Sequence, residues 1–427
     1  MSAPKAPSAP SRRHRALPAT PPPGPFRPGF WRSPLRGPQL TSLLGLVLLA
    51  LVAIVATTGF LSHAAYMPDL PGNRLIAHAL PLTFDWPTSP PWIYAVNQSL
   101  HTNVGLVAIP FLLAKLWSVI PKLFAWPPVS SPAQAIERLS IALLVSSAVF
   151  EFATGVLNMQ YWYAFKFNFV VAHYYGAVVF VASLVLHVLI KVPAMRGAYR
   201  TRAEVAEVTG ATMSRRGLFA FAGAASFTLL AANVGQSIGG PLRATAFLAP
   251  RRQGGFPVNK TAVAAKVTPA MVGDAYRLRL NGVELARAEL LALEQRTRVL
   301  PIACVEGWTT TQTWTGVPLA RLAELAGMPG ARSVLVRSLQ PKGVLSKASL
   351  SHDQIADPSS LLALKVNGQD LPMDHGYPAR IIVPGLPGVH NVKWVGSLEF
   401  GDSSPGGLAS LGAIARGAIL PARGRGA

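Results

Sequence analysis

Residues 40–62, LTSLLGLVLLALVAIVATTGFLS, run for 23 residues without a charge, long enough as a helix to cross the roughly 30 Å hydrocarbon core of a bilayer. No water is available there to satisfy the backbone, so an isolated apolar run of this kind must be helical. Three further runs, at about 98–120, 136–158 and 168–192, repeat the pattern, and a weaker one extends from Leu218 to near Val234. Half of the residues are hydrophobic and 13% are charged. The fold class this implies is an α transmembrane helical bundle of about five spans, with chain enough left for one further domain of ordinary size.

Charge flanking the spans sets their orientation. Residues 1–39 are rich in Pro and basic, with seven Lys or Arg and no acid in the first 40 positions, which predicts a disordered, solvated arm. The loop from His63 to Gln98 carries one Arg against two Asp, and the segment between spans four and five is basic again. Basic flanks mark the cytoplasmic side. The N-terminus is therefore expected in the cytoplasm and, after an odd number of spans, the C-terminal part outside. The net charge of +21 thus speaks for contact with membrane lipid, and no nucleic-acid-binding motif accompanies it. Ser214-Arg215-Arg216-Gly217-Leu218-Phe219 heads a run of small apolar residues and resembles the twin-arginine export signal of bacteria; the alternative is a pair of arginines marking the cytoplasmic end of a helix. The location implied is the bacterial cytoplasmic (inner) membrane, multi-pass, with a periplasmic C-terminal domain.

From about Gly255 the texture changes to short alternating stretches such as AYRLRLNG, SVLVRSL and VKWVGSLEF, punctuated by Gly and Pro. These predict an external α+β, β-rich domain over 255–400. The organisation expected is an arm at 1–39, a four-helix membrane domain at 40–192, a cytoplasmic loop, fifth span and linker at 193–254, the external domain, and a flexible Gly, Ala and Arg-rich tail at 401–427.

Ionisable residues inside spans are costly and so point to function. His101 opens span two, and His173 and His187 lie on span four, 14 residues apart, which places them on one helix face about 21 Å apart along the axis. That spacing suits axial ligands to two heme b groups stacked across the bilayer. His101 and His173 lie at similar depth and would hold the outer heme from opposite sides, with Gly105 and Gly176 leaving a slot for the porphyrin. A second heme at His187 has no evident partner: Lys115, 14 residues after His101, is expected to snorkel to the cytoplasmic headgroups. His63 and His78 sit outside or at the surface and are alternatives to His101. The competing interpretation is that these histidines are interfacial or hydrogen-bond the helices together. The span and histidine pattern over 40–192 resembles the membrane cytochrome b family that serves hydrogenases and formate dehydrogenases. That resemblance implies electron transfer between membrane quinone and an external partner.

Cys304 is the only cysteine, which excludes an intramolecular disulfide and any multi-cysteine metal site. Alone it is either a small buried hydrophobe or a ligating or reactive thiol. Two stretches decide between these. ACVEGW followed by WTGVPL, and DHGYPARIIVPGLPGVHNVKWV about 70 residues later, resemble the molybdopterin domain of the sulfite oxidase family over 255–400. The resemblance implies that Cys304 is the thiolate ligand of molybdenum, a soft donor for a metal otherwise bound by the pterin's sulfurs. It also implies that His375, Gly376, Arg380 and Lys393 line the cofactor, the cations facing its phosphate. Gly376, Gly385 and Gly388 are expected to let backbone approach the pterin, while Trp308 and Trp394 are more often core residues.

The chain departs from that family where sulfite is bound. The position of an Asn-Arg pair reads Gly307-Trp308-Thr309, a second arginine is replaced by His390, and the carboxylate Glu306 lies two residues after the cysteine. This set should repel a dianion. Cys-Val-Glu-x-Trp instead resembles the periplasmic methionine-sulfoxide reductases of the same superfamily. The expected activity is therefore quinol-linked reduction of a small-molecule oxo substrate such as an S-oxide, with Glu306 or His390 as proton source and Tyr377 as a weaker candidate. The alternatives are a sulfite-type dehydrogenase feeding quinone, and a non-catalytic pterin-fold module on a membrane cytochrome.

Overall fold

The computed structural model describes residues 20–27, 29–68, 70, 73, 86–200, 213–250, 256–343 and 345–402. The expectations for residues 1–19, for His78 and for the tail beyond residue 402 lie outside them. Among the described residues, five helical stretches are long and apolar enough to cross a membrane: α1 (Pro38–Ala65), α2 (Ile93–Leu123), α3 (Pro132–Met159), α4 (Phe169–Arg200), and Arg215–Ile238, which begins with α5 (Arg215–Ala231). Their starts follow local chemistry. Pro38 and Pro132 stand in the first turns of α1 and α3, where the missing N–H costs nothing. The Ser131 and Ser214 hydroxyls cap α3 and α5 by accepting from the N–H of Gln134 and Gly217.

Basic residues collect at one end of the bundle. There Arg36 donates to the Trp117 carbonyl at 3.1 Å and lies over its ring, Arg138 donates to the Ala125 carbonyl, and Lys191 pairs with Glu137. Trp31 stacks on Phe124 with centroids 5.3 Å apart. Part of the expected solvated arm is thus packed onto the end of α2, because its aromatic and arginine side chains cover apolar surface that a Pro-rich composition does not advertise. Arg215 of the twin-arginine pair donates to the Leu35 carbonyl at 3.1 Å, tying α5 to the approach to α1. Lys115 reaches toward the same end, donating to the Thr41 carbonyl in the first turn of α1 at 2.6 Å.

A short helix, α6 (Val234–Ile238), leads from α5 to two five-stranded sheets. The strands are β1 (Arg277–Leu280), β2 (Val283–Ala286), β3 (Arg296–Ala303), β4 (Thr309–Pro318), β5 (Ser333–Ser338), β6 (Lys347–Ser351), β7 (Leu361–Val366), β8 (Gln369–Asp370), β9 (Arg380–Ile382) and β10 (Val395–Gly401). One sheet has the order β2-β1-β10-β5-β6, with β1 and β10 parallel. The other runs β3-β4-β7-β8, with β9 also on β7.

The β domain sits on the end of the bundle opposite the basic residues, and the loop after α1 is built into it. Met67, Leu70, Trp86 and Tyr94 belong to the same apolar cluster as Leu278, Val336 and Leu398. Asn73 exchanges two hydrogen bonds with the backbone of Ser349, at 2.9 and 2.8 Å. Trp86 donates to the Gly385 carbonyl at 2.7 Å. This contact also explains why α2 begins a turn before the apolar run. Asn97 and Gln98, which read as loop, are buried by partners on α1 and in the β domain.

Candidate active site

β3 carries the chain to Cys304, and the turn that follows returns it as β4. The Cys304 N–H donates to the Trp308 carbonyl at 2.9 Å and the Gly307 N–H to the Cys304 carbonyl at 3.0 Å. Gly307 has φ +94°, a backbone region that favours glycine. The turn folds Glu306 back over the thiol. Its Oε2 accepts from Cys304 Sγ at 3.3 Å, Trp308 Nε1 at 2.8 Å and Tyr161 Oη at 2.5 Å. Trp308 is thereby part of the site as well as of the core. Tyr161, from the link between α3 and α4, was not legible in the sequence: it is 145 residues from its partner.

Other side chains from the bundle hold the same turn. Gln98 donates to the Val305 carbonyl at 2.8 Å while its own carbonyl accepts from Ser62 at 3.0 Å. Ser237 of α6 donates to the Gly307 carbonyl at 2.8 Å, and Asn103 of α2 donates to Ser237 at 3.0 Å.

His390 lies in the loop that bridges to this turn through Pro387 and Ala303. It is 1% exposed, so it is a core group rather than a surface turn residue. Burial pushes its pKa down to about 4, which keeps the imidazole neutral at pH 7. Nε2 lies 3.2 Å from the Tyr66 carbonyl, a partner that requires the proton on that nitrogen. The Pro387 carbonyl is the ring's other backbone neighbour. As a proton source, His390 is weaker than Glu306 on this geometry.

Arg380 is the clearest sign of an anion site. It is 5% exposed, its Nη1 donates to the His375 carbonyl at 3.2 Å, and its Nε is buried with no partner. Burial pushes its pKa down to about 9. Its guanidinium lies over Trp314 and Phe256, 5.6 and 5.9 Å from the ring centroids. His375 stacks on Phe256 with centroids 3.7 Å apart, and burial together with the Arg380 and Lys393 charges lowers its pKa to about 4. Lys393 donates to the Asp374 carbonyl at 2.9 Å and to that of Lys260. A buried guanidinium without a carboxylate fits an anionic ligand, and the Cys304 thiol fits a soft metal.

The three glycines expected beside the cofactor are also required by protein packing. A Cβ on Gly376 would stand 3.2 Å from Lys393 Cα, one on Gly385 2.6 Å from the Pro87 carbonyl, and one on Gly388 3.2 Å from the Ala303 carbonyl. All three make room for protein.

Within the bundle a cleft, partly open to the surroundings, lies between α1, α2, α3 and α4. His101 and His173 both line it, their ring centroids 6.1 Å apart and the rings 88° to one another. That separation suits two imidazoles binding opposite sides of one metal ion, with metal–nitrogen bonds of about 2 Å. Each Nδ1 is engaged elsewhere: His101 with the Val55 carbonyl at 3.0 Å, His173 with Thr154 Oγ1 at 2.9 Å and Glu151 Oε2 at 3.2 Å. Nε2 is therefore the nitrogen left for a ligand bond.

Gly59, Gly105 and Gly155 line the cleft, and Gly105 faces open space. Gly176 does not line it; it is packed against Phe150 and Glu151. His63 lines the same cleft with its ring 4.0 Å from Tyr174. His187 lies apart from the cleft, with Lys191, Lys115, Glu137 and Lys122 as its charged neighbours; among the described residues no second histidine of the predicted set is beside it. At its other end the cleft reaches Val305, the residue between Cys304 and Glu306.

A family model described as oxidoreductase molybdopterin binding domain matches residues 265–408. Among curated proteins, a sulfite oxidase of Arabidopsis thaliana is 36% identical over 22% of this chain and 28% of its own length. The mitochondrial sulfite oxidase of Homo sapiens is 36% identical over 31% of this chain and 30% of its own. The catalytic subunit of a protein-methionine-sulfoxide reductase, MsrP, of Xanthomonas campestris is 30% identical over 34% of this chain and 49% of its own. The chain thus spans about half or less of the length of these relatives. Its C-terminal region is a sulfite-oxidase-family molybdopterin-binding oxidoreductase domain.

Proposed function

We propose that the protein is a membrane-anchored molybdopterin oxidoreductase that exchanges electrons between membrane quinone and an external molybdenum site, and that it reduces a neutral S-oxide or similar oxo substrate. Cys304 would ligate molybdenum, with Arg380, Lys393 and His375 around the pterin phosphate. His101 and His173 would hold one heme b. When bound, these groups supply oxygen-atom transfer and one-electron transfer. The observation that carries the proposal is the cleft itself: one cavity has His101 and His173 on its walls and Val305 of the cysteine turn at its end.

The protein's own groups fit reduction. Glu306 sits 3.3 Å from the cysteine sulfur and is oriented by Trp308 and Tyr161, a suitable place from which to deliver a proton to an oxygen leaving as water. No arginine replaces the expected sulfite-binding pair in the Gly307-Trp308-Thr309 stretch, and a carboxylate beside the ligand disfavours an anionic substrate. The basic bundle end, set against the positive-inside rule, supports a cytoplasmic N-terminus and an extracytoplasmic β domain.

The test is metal and heme content of the detergent-purified protein, followed by turnover with a reduced quinone and a series of sulfoxides and sulfite. The proposal expects about one molybdenum and one heme per chain and sulfoxide-dependent quinol oxidation. Heme without molybdenum, from a host that makes the cofactor, would remove the enzyme claim. Sulfite-dependent quinone reduction without sulfoxide turnover would reverse the direction.

A further inference from the structure

Glu137 and Glu151 are the two acids in the five long helices. Glu137 is paired with Lys191 at the basic end, 42% exposed. Glu151 is 8% exposed and lines the cleft; among the described residues it has no lysine or arginine partner, and its one ion-pair contact is His173. A carboxylate inside a span is costly unless a partner engages it. Its Oε2 lies 3.2 Å from His173 Nδ1, and Oε1 is buried with no hydrogen-bond partner.

The fold makes specific room for this group. Gly176 follows His173 by three residues on α4, and a Cβ there would collide with Glu151 Oε1 and stand 2.9 Å from Phe150 Cδ1. The two histidines therefore differ in what orients them. His101 Nδ1 meets neutral groups only, the Val55 carbonyl at 3.0 Å and the Thr58 hydroxyl at 3.4 Å, whereas His173 Nδ1 meets the Thr154 hydroxyl at 2.9 Å and, beside it at 3.2 Å, a carboxylate. A carboxylate accepting from Nδ1–H fixes the ring, strengthens the opposite nitrogen as a donor and adds negative charge beside the metal.

We infer that Glu151 is a positioning residue that sets the reduction potential of the heme, favouring the ferric state through His173. The inference rests on the reading of His101 and His173 as axial ligands. Its action is on a one-electron equilibrium and forms no bond.

The experiment uses the full chain in detergent. Heme content of the wild type tests the ligand reading first; a wild type without heme overturns both. Redox titration followed by the heme absorbance then compares the wild type with Glu151→Gln and with Thr58→Val, which removes an uncharged hydroxyl 3.4 Å from His101 Nδ1. Glu151→Gln is expected to raise the ferrous-to-ferric ratio at a fixed potential by about tenfold or more, about 59 mV upward for one electron. Thr58→Val should change that ratio less than about twofold. A Glu151→Gln variant with wild-type heme content and wild-type potential overturns the inference and leaves the ligand reading standing. Should Glu151→Gln lose heme, Glu151→Asp decides. Heme kept when the charge is kept supports the role, and heme lost from both variants overturns it.

Discussion

Arg380 and His390 are charged or chargeable groups that the β domain buries without a counter-ion, and each makes a prediction of its own. Replacing a buried, unpaired guanidinium by an apolar side chain of similar length removes a desolvation cost. Arg380→Met should therefore leave the cofactor-free domain as stable as the wild type or up to about 3 kcal/mol more so. Molybdenum content should fall steeply in the same variant. Calorimetry and metal analysis together check it; equal loss of stability and molybdenum would show that Arg380 is structural.

His390 has its pKa lowered from 6.5 to about 4 by burial, so the unfolded chain takes up a proton at higher pH than the folded one. The stability it leaves intact at neutral pH is lost as pH falls from 6.5 through 4, by at most about 3 kcal/mol. His390→Gln should flatten the melting temperature of the β domain across that window. Cys304, alone in the chain, could be singled out as a candidate ligand from the sequence because two local stretches, its own and residues 374–395, carry the resemblance. Glu151 could not, since an acid at the inner face of a span reads as one polar residue among apolar ones until His173 is brought to it.

Elements explain which parts of the site the sequence could not give. α1 to α5 follow from hydropathy and from capping serines and prolines, all local signals. The turn 304–308 is local too, but what holds it is not. Gln98 at the start of α2 reaches Val305 over 207 residues, and Tyr161 reaches Glu306 from the α3–α4 link. Removing the Gln98 amide leaves the Val305 carbonyl without its donor and the hydrogen-bonded Ser62–Tyr94 hydroxyl pair short of one acceptor, a loss of about 1–3 kcal/mol. Gln98→Ala should accordingly lower the β domain's unfolding temperature while leaving heme content unchanged. Tyr161→Phe removes one donor from Glu306 without changing shape; it should slow substrate turnover with heme and molybdenum both retained. An unchanged kcat would confine Tyr161 to packing.

At the scale of the whole molecule, the bundle and the β domain share a core. Met67, Leu70, Trp86 and Tyr94 fill the same cluster as strand residues of the β domain, so the region that begins near Gly255 buries part of its apolar surface against chain that precedes it. A fragment of residues 255–427 should be unstable or insoluble, exposing that apolar face; a well-folded fragment with the wild-type melting temperature would contradict the shared core. The central claim is that the bundle and the cysteine turn form one electron path. The direct test is single-turnover reoxidation of the dithionite-reduced heme on mixing with methionine sulfoxide, wild type beside Cys304→Ala. The account predicts reoxidation in the wild type and none in Cys304→Ala at equal heme content. Reoxidation at the same rate in both, or in neither, would contradict it.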